Sequence, residues 1–151
     1  MSRTDSLRRQ HDAALVLAGR LADCAAQLGH QPTRPEAFEA TLALARLTGV
    51  LRLHFAQEDR QLYPRLMSSA DHQTATVAKA FFDEMGNLGP TYDAYAEKWR
   101  SAQAILEAPG AFAQQTSDIV AALADRIERE NAVLYPIADR QNERGTTSQA
   151  A

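Results

Sequence analysis

Glycine and proline punctuate this chain at only a few points, and the stretches between them are long, rich in alanine and leucine, and poor in β-branched alternation. Such a chain is expected to be helical throughout, in four segments. The first runs from about Asp5 to Leu28 and carries Leu7, His11, Ala14, Ala18, Leu21, Ala25 and Leu28 at spacings of three and four, a single seam. Gly29 and Pro32 end it, and Thr33, Pro35 and Glu36 form a capping box with proline in the first turn of the second segment. That segment places Leu44, Leu47, Leu51, His54, Glu58 and Leu62 on one stripe before Pro64, which lacks a backbone donor and is expected to end or kink it. Ser68, Ser69 and Asp71 read as the next turn and cap. The third segment presents Val77, Phe81, Met85, Leu88, Tyr92, Tyr95 and Trp99, with a bend expected at Gly86, Gly89 and Pro90. Pro109 and Gly110 make the last turn, and the fourth stripe is Phe112, Ile119, Leu123, Arg126, Glu130, Val133 and Ile137.

Four amphipathic helices on short turns predict an all-α, up-down-up-down antiparallel four-helix bundle. It is expected to fill residues 1–140, with 141–151 a polar, mobile tail. At 151 residues one core suffices without disulfide staples. Lys and Arg number 16 against 19 Asp and Glu, with no basic run, which argues against a nucleic-acid partner. No apolar stretch approaches the ~20 residues of a membrane span, and Met1 to Gln10 does not resemble a secretion signal. With Cys24 alone, no internal disulfide or cysteine-based zinc site can form, and the expected location is the cytoplasm. Cys24 itself reads as a small apolar filler.

The chain also repeats itself. Glu58 to Pro64 reads E-D-R-Q-L-Y-P and Glu130 to Pro136 reads E-N-A-V-L-Y-P, an offset of 72 residues that also sets His54 over Arg126. Five polar residues, His11, His54, Glu58, Arg126 and Glu130, therefore fall on seams that should be apolar, where a charge is costly unless paired or metal-bound. In an antiparallel hairpin, residues at one level are symmetric about the turn. The midpoint of His11 and His54 is 32.5, inside the Pro32–Thr33 turn, so the two imidazoles should face each other. The midpoint of His54 and Met85, 69.5, lies in the next turn and brings Met85 to that level. A last turn centred near 108.5 sets Arg126 opposite residue 91 and Glu130 opposite Asn87, a looser match. Two imidazoles and two carboxylates in a bundle core suit a first-row transition metal: iron, manganese or zinc.

The motifs R-R-Q-H ending at His11, L-H-F-A-Q-E-D from Leu53 to Asp59 and R-I-E-R-E from Arg126 to Glu130, the last two followed by L-Y-P, resemble those of the hemerythrin-like, or HHE cation-binding, domain. The resemblance covers nearly the whole chain. It implies a non-haem centre of two irons, one served by histidines from the first two helices, the other by histidines from the last two, bridged by two carboxylates. His11, His54, Glu58 and Glu130 match the ligands of the first iron and both bridges. Where the second iron's histidines are expected, this chain has Phe81, Met85 and Arg126, so the losses fall on one subsite. That pattern suggests one retained ion, iron first with manganese or zinc as alternatives, and the Arg126 guanidinium as a surrogate for the second cation. Oxygen carriage as in hemerythrin draws one electron from each of two irons, so one ion should not support it. What remains is an ion that binds or senses a small ligand such as O2, NO or peroxide, or a stored or structural ion.

Rival readings keep the bundle and change the chemistry. A metal-free regulatory or interaction module would use Arg126 to lock Glu58 and Glu130 in a buried salt-bridge network. A ferritin-like di-iron oxidase needs Glu-x-x-His, and no Glu here precedes a His by three. With no evident substrate pocket or second acid/base pair, no catalytic residue is assigned and an enzymatic role is disfavoured. His30, His72, Asp59 and Glu128 read as solvated, and Tyr63 and Tyr135 as packing near the bundle end. Tyr92, Tyr95 and Trp99 read as core and rim packing, or, if exposed, as a homodimer or partner patch.

Overall fold

A computed structural model of the chain describes residues 4–141. Helix α1 spans Asp5–Gln27 and α2 spans Arg34–Gln57. The capping box at the start of α2 forms as the sequence predicts: the Glu36 amide donates to Thr33 Oγ1, and the Thr33 amide donates to Glu36 Oε1. After α2 the rod widens into a π turn, Glu58–Leu62, and resumes as α3, Tyr63–Met67. The third rod comprises α4, His72–Met85, and α5, Leu88–Lys98. A short α6, Ala102–Glu107, leads into α7, Pro109–Arg129, which passes through a second π turn, Glu130–Leu134, to a helical stretch over 135–141.

The rods pack in a ring, α1 on α2, α3 on α4, α5 on α7 and α7 on α1, which is the antiparallel four-helix bundle. None of the helices among the described residues is long and apolar enough to cross a membrane. Every predicted seam residue of α1 except the half-buried Leu28 is buried, as is the whole predicted stripe of the second rod. Tyr92, Tyr95 and Trp99 are core residues. Their polar atoms bond to Thr48, Thr116 and Gln115 at 2.7, 2.6 and 2.8 Å, so they offer no exposed patch. Cys24 packs, half-buried, against the same core.

Several details differ from the sequence-based expectations. Of the two outcomes expected at Pro64, ending or kinking, the second rod does not end there but departs from the regular helix just before it. A proline in a regular helix would lose its bond to the carbonyl four residues back and clash with it. The π turn absorbs the misfit, and the Tyr63 amide donates to the Glu58 carbonyl five residues back. The matched Pro136 follows the matched π turn, whose Tyr135 amide donates to the Glu130 carbonyl. The extra residue shifts the helical phase, so the fourth seam ends on Leu134 and Ala138, both fully buried. Val133 is 42% exposed and Ile137 half-buried. The last connection also contains α6, which moves its centre away from 108.5: Arg126 meets Met85, about a midpoint of 105.5, instead of residue 91. Finally, Gln141, where the tail is expected to begin, is helical; the rest of the expected tail, 142–151, lies outside the described residues.

The apolar interior is divided. One cluster holds Ala14, Leu51, Tyr92, Leu123 and Ile127 among others; the second holds Leu7, Leu62, Leu66, Phe81, Leu134 and Ala138. Along each of the first, second and fourth rods the polar seam residues fall between members of the two clusters, so the bundle is two oily layers enclosing one polar layer.

Candidate metal centre

The polar layer is closed to water. His11, Glu58 and Glu130 are fully buried, and His54 and Arg126 are 2% exposed. The predicted opposition of the imidazoles holds, with ring centroids 4.6 Å apart. One nitrogen or oxygen from each of His11, His54, Glu58 and Glu130 lies within 4.8 Å of the other three. The i,i+4 spacing aligns His54 with Glu58, and the hairpin about Thr33 delivers His11 from α1.

Hydrogen bonds to the far side of each ring fix which atoms converge. His11 Nδ1 lies 2.8 Å from Asn131 Oδ1, and His54 Nδ1 lies 2.8 Å from Gln10 Oε1. The Gln10 amide is oriented in turn, since its Nε2 donates to Gln57 Oε1 at 2.9 Å. An amide oxygen only accepts, so both Nδ1 atoms carry a proton and each ring turns its Nε2 inward. His54 Nε2 lies 2.9 Å from Glu58 Oε1 but is not aligned with it for a hydrogen bond, and this buried nitrogen has no hydrogen-bond partner. His11 Nε2 faces Glu130 Oε1 at 3.1 Å. Two ring nitrogens and two carboxylate oxygens thus converge on one point, where a cation, a proton or a metal ion, offsets the charge of the acids. Imidazoles held by amide oxygens on their outer nitrogen are in the tautomer and orientation that metal ligands adopt, so the donor set fits a first-row metal.

Arg126 fills the other side. Its Nη2 donates to Glu58 Oε1 at 3.0 Å, its Nε to Glu130 Oε2 at 3.2 Å and its Nη1 to the Met85 carbonyl at 3.3 Å. The guanidinium also lies 4.6 Å from the Phe55 ring centroid. Burial would lower its pKa, but the charges of Glu130 and Glu58 raise it instead, so the group stays cationic. Of the two predicted replacement positions, Met85 reaches this network through its carbonyl. Phe81 lies one turn away in the second cluster, its ring centroid 5.3 Å from the Arg129 guanidinium.

The two acids are unlike. Burial raises Glu58, but the close contact and charge of His54 and the charge of Arg126 outweigh it and bring the carboxyl down to about 2. Burial and the neighbouring Glu58 charge push Glu130 up. Asp59, expected to be solvated, is half-buried. Its Oδ1 lies 3.8 Å from Arg126 Nη2, and burial raises its pKa. Glu128, His30 and His72 are exposed, as predicted.

Sequence reasoning missed four participants. Gln10 and Asn131 are neighbours of His11 and Glu130 and orient the imidazoles. Tyr63 and Tyr135, assigned to the bundle end, belong to the site: Tyr63 OH donates to Glu130 Oε2 and Tyr135 OH to Glu58 Oε2, both at 2.7 Å. Burial, then the charge of Glu130 for Tyr63 and of Glu58 for Tyr135, raises both phenols, which therefore remain donors. The repeated spacing of five from Glu to Tyr, one residue longer than a helical turn of four, was the available signal.

A groove of about 640 Å³ between the third rod and α7 reaches this layer at Met85 and Arg126, with Leu88, Tyr95, Ile119 and Ala122 among its walls. The sequence had given no sign of it.

The family model described as the hemerythrin HHE cation binding domain matches residues 2–138. No curated protein and no solved structure matches the chain.

Proposed function

The chain belongs to the hemerythrin HHE cation-binding domain family, and we propose that it holds one first-row transition metal ion, iron before manganese or zinc, through His11, His54, Glu58 and Glu130. In this reading Arg126 stands where the family places a second cation, and Phe81 and Met85 replace second-site histidines. The observation that supports it is the convergence of four buried nitrogen and oxygen atoms within 4.8 Å, beside a buried His54 nitrogen with no hydrogen-bond partner. When bound, such an ion would supply a Lewis-acidic centre, redox-capable in the case of iron or manganese, able to take a small ligand such as O2, NO or peroxide. The chain's own residues do the rest: Gln10 and Asn131 orient the imidazoles, the oily layers exclude bulk water, and the groove ending at Met85 and Arg126 offers a small molecule an approach.

A second reading is favoured by one observation: Arg126 already pairs with both carboxylates, so the bundle can close as a metal-free interaction module. Elemental analysis after purification without added metal separates the two. One equivalent supports the half-site, two equivalents the ordinary family centre, and none the module. His54→Ala is expected to abolish uptake and Arg126→His to raise the stoichiometry towards two. Unchanged metal content in both variants would refute the ligand assignment.

A further inference from the structure

We infer that Tyr63 and Tyr135 form a crossed clamp that leaves each site carboxylate one inward-facing oxygen, making them positioning residues for the metal reading above, on which this inference rests. The two phenols come from opposite halves of the chain, and each serves the other half's acid. Tyr63, on the second rod, donates to Glu130 of the fourth; Tyr135, on the fourth, donates to Glu58 of the second. In both acids the clamped atom is Oε2, while Oε1 is the atom beside an imidazole, 2.9 Å from His54 Nε2 for Glu58 and 3.1 Å from His11 Nε2 for Glu130. A carboxylate whose outer oxygen is held by a short O–H···O⁻ bond cannot swing to present both oxygens to one ion without breaking that bond. Each acid is thereby confined to one inward oxygen.

The arrangement depends on the π turns. Each tyrosine follows its own rod's glutamate by five residues, across the widened turn that shifts the phase by one position. Both phenols are thereby inside the bundle: Tyr63 is 1% exposed and Tyr135 fully buried. Tyr135 OH also lies 3.0 Å from His11 Nε2, so its position bears on an imidazole as well as an acid.

The test uses the full chain titrated with Co²⁺ and followed by its visible absorption, which reports coordination number, together with the dissociation constant. Tyr63→Phe and Tyr135→Phe are each expected to weaken Co²⁺ binding by about tenfold to a hundredfold. Both should also weaken the absorption, as a freed carboxylate oxygen raises the coordination number. Tyr92→Phe is the control, because it deletes a buried hydroxyl bonded to Thr48 in the other core cluster. It should leave the spectrum unchanged. Helical circular dichroism checks the fold, and if one clamp variant does not fold the other carries the test. Wild-type chain that takes up no Co²⁺ overturns the metal reading and the clamp with it. Wild-type uptake with spectra unchanged by both clamp variants, or changed equally by Tyr92→Phe, overturns the clamp alone.

Discussion

Replacing Arg126 by methionine keeps much of the side chain's volume and removes its charge. The guanidinium is 2% exposed and donates to Glu58, Glu130 and the Met85 carbonyl. Hydrogen bonds to charged groups contribute about 1.5–3 kcal/mol each, so losing the two carboxylate partners amounts to about 3–6 kcal/mol. That agrees with the ~3–5 kcal/mol typical of breaking one side of a buried ion pair. Glu130, whose carboxyl is already pushed up, can take a proton and relieve part of the repulsion, which places the expected loss near 3 kcal/mol, the lower end of that range. At this chain length the melting temperature should fall by roughly 6–12 °C. A divalent ion among the same acids would compensate them, so the loss should shrink when Mn²⁺ or Zn²⁺ is added. The assay is urea unfolding by circular dichroism, with chelator and with excess metal, on wild type and Arg126→Met. A chelated variant within about 1 kcal/mol of wild type, the range of ordinary substitutions, would refute the argument that Arg126 balances the two acids. So would a loss of the same size with and without metal.

Other outcomes follow from the same geometry. Glu58 is held at about 2 in the fold against an ordinary 4.5, so its stabilising contribution is complete above pH 4.5 and is lost as the pH falls towards 2. Glu130 is shifted the other way, and its cost is relieved by acid. In chelated protein Glu58→Gln should therefore be more destabilising than Glu130→Gln at neutral pH, with the gap closing below pH 4.5; an unchanging gap in urea unfolding between pH 7 and 3 would contradict this. The π-turn phase is tested by Leu134→Ala, expected to cost about 2–5 kcal/mol, against Val133→Ala, expected to cost under about 0.5 kcal/mol; the reverse order would restore the regular helix. Thr33→Ala should lose about 1 kcal/mol through the capping box, read as a lower melting temperature with metal content unchanged.

The bundle and most of its interior were legible because helical periodicity survives wherever the helix is regular. The stripe from Leu7 to Ala25 needed no tertiary information, and the His11–His54 pairing followed from symmetry about a well-marked turn. Periodicity failed at Val133 because a π turn adds a residue without any change of composition at that point. It fails for Arg126 and Met85 because α6 occupies a connection that Pro109 and Gly110 mark only as a simple turn. The buried acids and imidazoles stood out as polar residues on oily seams. Gln10, Asn131 and the two tyrosines did not, since amides and phenols suit a surface or a core margin equally well until the partner across the bundle is known. Asp59 is illegible for the same reason: its proximity to Arg126 depends on the fourth rod.

The crossed bonds between the halves have a kinetic corollary. Tyr63 with Glu130, Tyr135 with Glu58 and His11 with Glu130 join residues 67, 77 and 119 positions apart, while the helices themselves form from neighbours. Loop closure makes such distant contacts late events. Whatever strengthens them should leave the rate of reaching the native state almost untouched and lengthen its lifetime once reached.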